Sequence, residues 1–123
     1  MKRNFFRFRN ILAAVLVAGA LATLALAHNK LMKTEPAAGA ALKTSPAHVE
    51  MWFDEKPDPA VTKIAVKGPA GAVAIGSPRA GTGKSIVADF KGTLPAGQYS
   101  VSWQTAGDDG HMSKGDFGFS VAQ

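Results

Sequence analysis

The chain has 123 residues, a formal net charge of +5 and no cysteine, but the charge is concentrated at the N-terminus. Residues 1–27 hold four Lys/Arg and no acid, so the other 96 residues carry ten basic and nine acidic side chains, a net charge of +1. That balance argues against nucleic acid as a partner. The chain can form no disulfide, thiolate metal site or thiol nucleophile. The 96 residues suffice for one small domain.

The N-terminal segment has the pattern of a secretory signal peptide. Met1–Asn10 contains all four positive charges, and Ile11–Ala27 is an uncharged, mostly apolar run. The run ends in Ala25-Leu26-Ala27, the small-x-small pattern that signal peptidase requires. Its 17 residues fall short of the about 20 that a spanning helix needs, which disfavours the alternative of an uncleaved membrane anchor. Without an adjacent Arg pair, we expect the general secretory pathway, with a mature domain 28–123 outside the cytoplasm.

The mature chain has the pattern of short strands separated by Gly/Pro turns. Residues 48–53 and 99–103 alternate apolar and polar side chains, the period of half-buried strands, and Gly68–Gly71 and Leu94–Gly97 predict turns. With no useful amphipathic helix, the pattern predicts a β-sandwich or small barrel of about seven strands. The predicted strands are Leu31–Glu35, Val49–Phe53, Lys63–Lys67, Ala72–Ile75, Ser85–Phe90, Tyr99–Trp103 and Phe117–Val121. The predicted core is Val49, Met51, Phe53, Ile64, Val66, Tyr99, Val101, Trp103, Phe117 and Phe119.

A mature N-terminal histidine and a loop histidine are the candidate metal ligands. Cleavage after residue 27 would let the α-amine and the imidazole of His28 chelate one metal ion. Asp109 and His111 lie two residues apart in a predicted loop, where Gly110 lets the backbone bend. Nitrogen-rich donors without thiolate suit Cu(II) best, and Zn(II) would accept them in a tetrahedral arrangement. The alternative is a fraying terminus and an ordinary Asp-Gly turn that carries a surface histidine.

Two further features are interpreted as structural. The segment Gly81–Ser85 has some letters of a phosphate-binding loop, but Pro78 stands where that pattern needs Gly and no helix follows. We therefore expect no nucleotide partner. His48 precedes a strand and is interpreted as a surface residue without a ligand role.

The mature sequence resembles the CopC family of exported copper-binding proteins over nearly all of its 96 residues. The most specific element is the combination of His28 at the start with the loop Asp109-Gly110-His111, because either feature alone is weak evidence for the family. The other matching segments are Asn29–Leu31, Glu35–Gly39, Ser45-Pro46, Val49–Phe53 with Asp54-Glu55, Leu94–Trp103 and Gly115–Phe119.

The resemblance implies an immunoglobulin-like β-sandwich, a Greek-key barrel that binds one Cu(II) per chain at one end. The implied ligands are the amine and ring of His28, Asp109 and His111. Asp108 competes for the carboxylate role, but the family pattern Asp-x-His favours Asp109. The resemblance also implies a periplasmic copper carrier or buffer in copper homeostasis and resistance, with an inner-membrane copper importer (CopD-like) as partner. We expect a monomer.

Two departures from the family pattern matter. Some members carry a Met-rich hairpin that binds Cu(I), whereas residues 68–79 contain no Met and Met32, Met51 and Met112 are scattered. Because soft thioethers select Cu(I), we predict no dedicated Cu(I) site. Pro is usual after the loop histidine, where this chain has Met112. A single thioether is a poor Cu(II) ligand, so an exposed loop side chain is favoured over a weak axial ligand.

These observations predict that the protein captures copper and is not an enzyme. The imidazoles and the amine bind only when deprotonated, so affinity should fall steeply as the pH drops toward about 5. One alternative is a copper-dependent oxidative enzyme, for which Trp52 is the only candidate substrate platform and an in-plane carboxylate leaves no position for oxygen. A second is a metal-free immunoglobulin-like adhesion or assembly module, which would lose nothing on replacing His28 or His111 by Ala.

Overall fold

The computed structural model describes residues 29–122, so the predicted signal segment and the candidate ligand His28 lie outside the described residues. Within 29–122 the chain forms nine strands and one 3₁₀ turn, Pro59–Val61, and no α-helix. No helix in this described part is long and apolar enough to cross a membrane. The strands are β1 (Leu31–Glu35), β2 (Ala41–Leu42), β3 (His48–Phe53), β4 (Lys63–Gly68), β5 (Gly71–Val73), β6 (Arg79–Ala80), β7 (Ser85–Asp89), β8 (Gly97–Ala106) and β9 (Met112–Val121).

The strands form two sheets, which confirms the predicted all-β sandwich. One sheet has the order β1-β3-β7-β6 and the other the order β2-β9-β8-β4-β5. Neighbours are antiparallel except for β2 and β9, which pair in parallel. Each of the seven predicted strands overlaps an observed one. The two strands that the sequence did not predict, β2 and β6, have two residues each and are too short to show an alternating pattern.

The hydrophobic core lies between the sheets and contains most of the predicted side chains. Eight of the ten predicted residues are buried, while Ile64 and Phe117 are half-buried and pack against the core. Tyr99 stacks on Phe119 with ring centroids 5.3 Å apart, which joins β8 to β9. Six apolar residues outside the predicted set are buried as well: Ile86, Val87, Ala88, Leu94, Ala106 and Val121. Strand β7 is buried on both faces, so its pattern does not alternate.

The turn before β8 is fixed by a buried tyrosine. The Tyr99 hydroxyl donates a hydrogen bond to the backbone carbonyl of Pro95, and the side chain is almost fully buried. We expect Tyr99→Phe to lower the free energy of unfolding by about 1 kcal/mol, because the ring stays packed while the carbonyl loses its donor. Urea unfolding followed by tryptophan fluorescence measures the change. An unchanged midpoint would show that the hydroxyl contributes nothing to stability.

Candidate metal site at one end of the sandwich

The candidate ligand loop projects from a long antiparallel hairpin. Strands β8 and β9 pair without interruption over ten residue pairs, from Gly97 opposite Val121 to Ala106 opposite Met112. The loop between them is closed by the Gly110 N–H, which donates to the Gly107 carbonyl at 3.0 Å. Gly110 has φ +76°, a conformation that favours glycine. The hairpin therefore sets the position of the loop relative to the sandwich.

Within this loop, Asp109 and His111 contact each other. Asp109 Oδ1 accepts the backbone N–H of His111 at 3.0 Å, and Oδ2 lies 3.2 Å from His111 Nδ1. The His111 side chain is 61% exposed and that of Asp109 31%. A carboxylate that binds Nδ1–H orients the ring and selects the tautomer whose Nε2 carries the lone pair that a metal needs. The pair thus supplies an oriented imidazole, and the Asp109 carboxylate would bind the same ion only on leaving His111 Nδ1.

Asn29 anchors the start of the described chain to the same end. The residue is fully buried, with φ 56°, which asparagine tolerates better than most residues. In the amide orientation that satisfies both polar groups, its oxygen accepts the Gly107 N–H at 3.1 Å, and its nitrogen donates to the Glu55 carbonyl at 3.2 Å. The next residue is held as well, because the Lys30 backbone N–H donates to Asp54 Oδ1 at 2.6 Å. The segment at residues 29 and 30 is therefore fixed beside the β8–β9 loop.

Glu55 is a further acidic residue at this end, and sequence reasoning did not assign it a role. Its Oε2 is buried and has no hydrogen-bond partner within residues 29–122. Gly107 lies against this oxygen, since a Cβ built on Gly107 would be 2.7 Å from it. A buried carboxylate oxygen without a donor costs free energy, which a nearby cation would offset. The sequence signal was the acidic pair that directly follows β3.

The other residues that the sequence analysis considered for a metal site lie at different places in the structure. Asp108 is exposed on the same loop. Met112 is 52% exposed, as predicted, but it is the first residue of β9 and does not lie in the loop. His48 has a partly exposed side chain on β3, in the other sheet. Within the described residues, the structure thus brings together Asp109 and His111, while the prediction for His28 is not tested.

Comparisons with known proteins agree with this fold. The sequence model of the CopC domain matches residues 31–122. The crystal structure of CopC from Methylosinus trichosporium OB3b is similar with a TM-score of 0.69 and 25% identity, covering 76% of this chain and 93% of that chain. PcoC from Escherichia coli, described as a methionine-rich copper resistance protein, has a TM-score of 0.70 and 27% identity, with 78% and 100% covered. The comparison with curated proteins finds no significant match.

The two-sheet sandwich is thus the fold of a CopC-type domain. Because the family's sequence model covers most of the chain, the protein belongs to the CopC family.

Proposed function

We propose that this protein is exported and binds Cu(II), as a periplasmic copper carrier or buffer in copper homeostasis and resistance. Membership of the CopC family and similarity to a copper resistance protein support copper as the metal. The observation that supports the site best is the contact between the start of the described chain and the β8–β9 loop, at one end of the sandwich. There, Asn29 is bonded to Gly107, two residues before Asp109 in the loop that also carries His111.

The proposed ligands are the α-amine and imidazole of His28, Asp109 and His111. A peptide bond joins residue 28 to Asn29, and consecutive Cα atoms are about 3.8 Å apart. Cleavage of the proposed signal segment after Ala27 would therefore create an α-amine within one residue of a position anchored to the loop. This makes tight binding a property of the processed chain, since the precursor has no amine at residue 28.

The donor set determines which metal is preferred and how binding of that metal depends on pH. Three nitrogen donors and one carboxylate oxygen suit Cu(II) better than the other common divalent ions. The buried oxygen of Glu55 lies beside Gly107, two residues before the proposed ligand Asp109. Because amine and imidazole bind only when deprotonated, protons compete with copper for this set. The protein would hold copper at neutral pH and give it up to stronger ligands or to acid.

Capture fits the described surface better than oxidative catalysis does. Trp52, the sequence-derived candidate for a substrate platform, is half-buried, and Lys33 Nζ lies 4.6 Å from its ring centroid. One face of the indole is thus already covered by a cation. Four donors that include a carboxylate also fill the coordination plane that oxygen would need. We propose an inner-membrane copper importer, CopD-like, as the partner that exchanges copper with a monomeric carrier.

Copper titration of the chain that starts at His28 tests the proposal. We expect one tightly bound Cu(II) per chain in a chelator competition and nitrogen hyperfine coupling in its electron paramagnetic resonance spectrum. No binding above the level of the precursor would support a metal-free adhesion or assembly module. Peroxide production from ascorbate above that of copper held by the chelator alone would support an oxidative enzyme.

A further inference from the structure

A second set of metal-ligand side chains lies on the outer face of the β1–β3 sheet. Glu35 on β1 is directly opposite Glu50 on β3, and His48 precedes Glu50 by two residues, on the same face of its strand. One ligand atom from each of the three lies within 4.8 Å of the other two. His48 Nε2 is 3.8 Å from Glu50 Oε1. Strand register alone thus groups an imidazole and two carboxylates.

The position of Glu50 is built into the surrounding structure. Its Oε2 accepts a hydrogen bond at 2.7 Å from the hydroxyl of Ser85, a buried residue on the neighbouring strand β7. Gly81 makes room for this pair, because a Cβ there would lie 2.1 Å from Ser85 Oγ and 2.7 Å from Glu50 Oε2. The Glu50 side chain is only 14% exposed. A carboxylate fixed by an outer hydrogen bond, with its other oxygen beside an imidazole, has the arrangement of an oriented metal ligand.

The negative charge of the set lacks a basic partner. Like charges in directly opposed cross-strand positions repel each other. Within residues 29–122, neither Glu35 nor Glu50 forms an ion pair with Lys or Arg. Asp89, and to a smaller extent Glu50, raise the pKa of Arg79, but its guanidinium is committed to Asp89 through hydrogen bonds of 3.0 and 3.2 Å. A bound divalent cation would relieve the repulsion between the two carboxylates.

This set is separate from the proposed site at the β8–β9 loop. His48 begins β3, whereas Glu55, which follows the end of that strand, lies against Gly107. A strand of this length extends roughly 17 Å at about 3.3 Å per residue. No single ion can therefore bridge the two sets.

We propose that Glu35, His48 and Glu50 bind a second divalent transition-metal ion. One imidazole nitrogen and two carboxylate oxygens are a donor set that Zn(II) accepts with water as a fourth ligand. Cu(II) should bind the same set more tightly, following the general order of divalent-metal affinities. This site does not depend on the proposed function, since it shares no ligand with the loop.

Metal binding after removal of the loop ligands tests this site. The chain that starts at residue 28 would carry His28→Ala, Asp109→Asn and His111→Ala, and it would be titrated with Cu(II) and with Zn(II). We expect one remaining ion per chain, with coupling to one nitrogen in the paramagnetic resonance spectrum of the Cu(II) form. Adding His48→Asn or Glu35→Gln should each weaken binding at least tenfold.

Asp116→Asn is the matched control, because it removes an exposed carboxylate on β9, in the other sheet. It should leave the affinity of the remaining ion unchanged. Glu35 is exposed, so Glu35→Gln should keep the thermal unfolding midpoint of the metal-free protein and isolate the ligand effect. If both cluster variants bind like the control, the inference is wrong. If the unsubstituted chain binds an ion at Glu35, His48 and Glu50 but no tight ion at the loop, only the proposed function is contradicted.

Discussion

His28→Ala, in the chain that starts at residue 28, should weaken Cu(II) binding at least about 100-fold. The substitution removes the imidazole and breaks the chelate that amine and imidazole form on one ion. Loss of an outer-shell contact alone commonly costs 10–100-fold in metal affinity, so loss of a direct donor should cost at least that much. Mass spectrometry verifies that both chains start at residue 28, and competition with a chelator of known affinity gives the ratio.

His48→Ala is the matched control, because it removes an imidazole from the other sheet. It should bind the tight ion like the unsubstituted chain. His111→Ala tests the loop half of the site. Equal affinities for the His28→Ala and His48→Ala chains would show that His28 is not a ligand.

Asn29→Ala should lower the free energy of unfolding by about 2–3 kcal/mol and weaken Cu(II) binding roughly tenfold. The substitution leaves the buried Gly107 N–H and the Glu55 carbonyl without their partner, and each unsatisfied buried group costs about 1–3 kcal/mol. It also releases the start of the chain from the loop, which separates the two halves of the proposed site. The effect on copper should therefore resemble loss of a positioning contact, for which 10–100-fold is usual.

Lys30→Ala is the control for this second prediction. Lys30 is exposed, and its hydrogen bond to Asp54 uses the backbone N–H, which alanine retains. Chemical unfolding without metal and chelator competition with metal measure the two effects separately. Loss of stability with unchanged copper affinity would make Asn29 a structural residue only. Equal behaviour of Asn29→Ala and Lys30→Ala would contradict both parts of the prediction.

The fold class was predictable because half-exposed strands of a sandwich alternate apolar and polar side chains with a period of two residues. Strand β3 alternates buried and half-buried side chains along its whole length, and β1 has the predicted bounds. Strand β7 lacks this period in its burial, because Val87 on its outer face is buried as well as Ile86 on its inner face. That burial depends on β6 and the turn at Gly81, which lie across the sheet and leave no local sequence signal.

The candidate sites also differ in how far the sequence alone could predict them. Asp109 and His111 lie two residues apart in one loop, so the sequence alone was enough to group them as candidate ligands. The bonds that join Asn29 to Gly107 and to Glu55 link three distant segments, and only the folded chain brings these together. The set around His48 depends on the register that places Glu35 opposite Glu50. A shift of one residue would turn one carboxylate to the other face, so the sequence alone could not group them.

The unbroken pairing of β8 with β9 has a consequence for the kinetics of metal exchange. Ten consecutive residue pairs hold the two ends of a short loop, so the conformational entropy of the loop is largely lost during folding. Metal capture then needs little further ordering, which favours affinity in a preorganised site. We therefore expect the rate of copper transfer to be limited by ligand substitution at the ion, and the backbone amides of the hairpin to show the same hydrogen-exchange protection with and without metal.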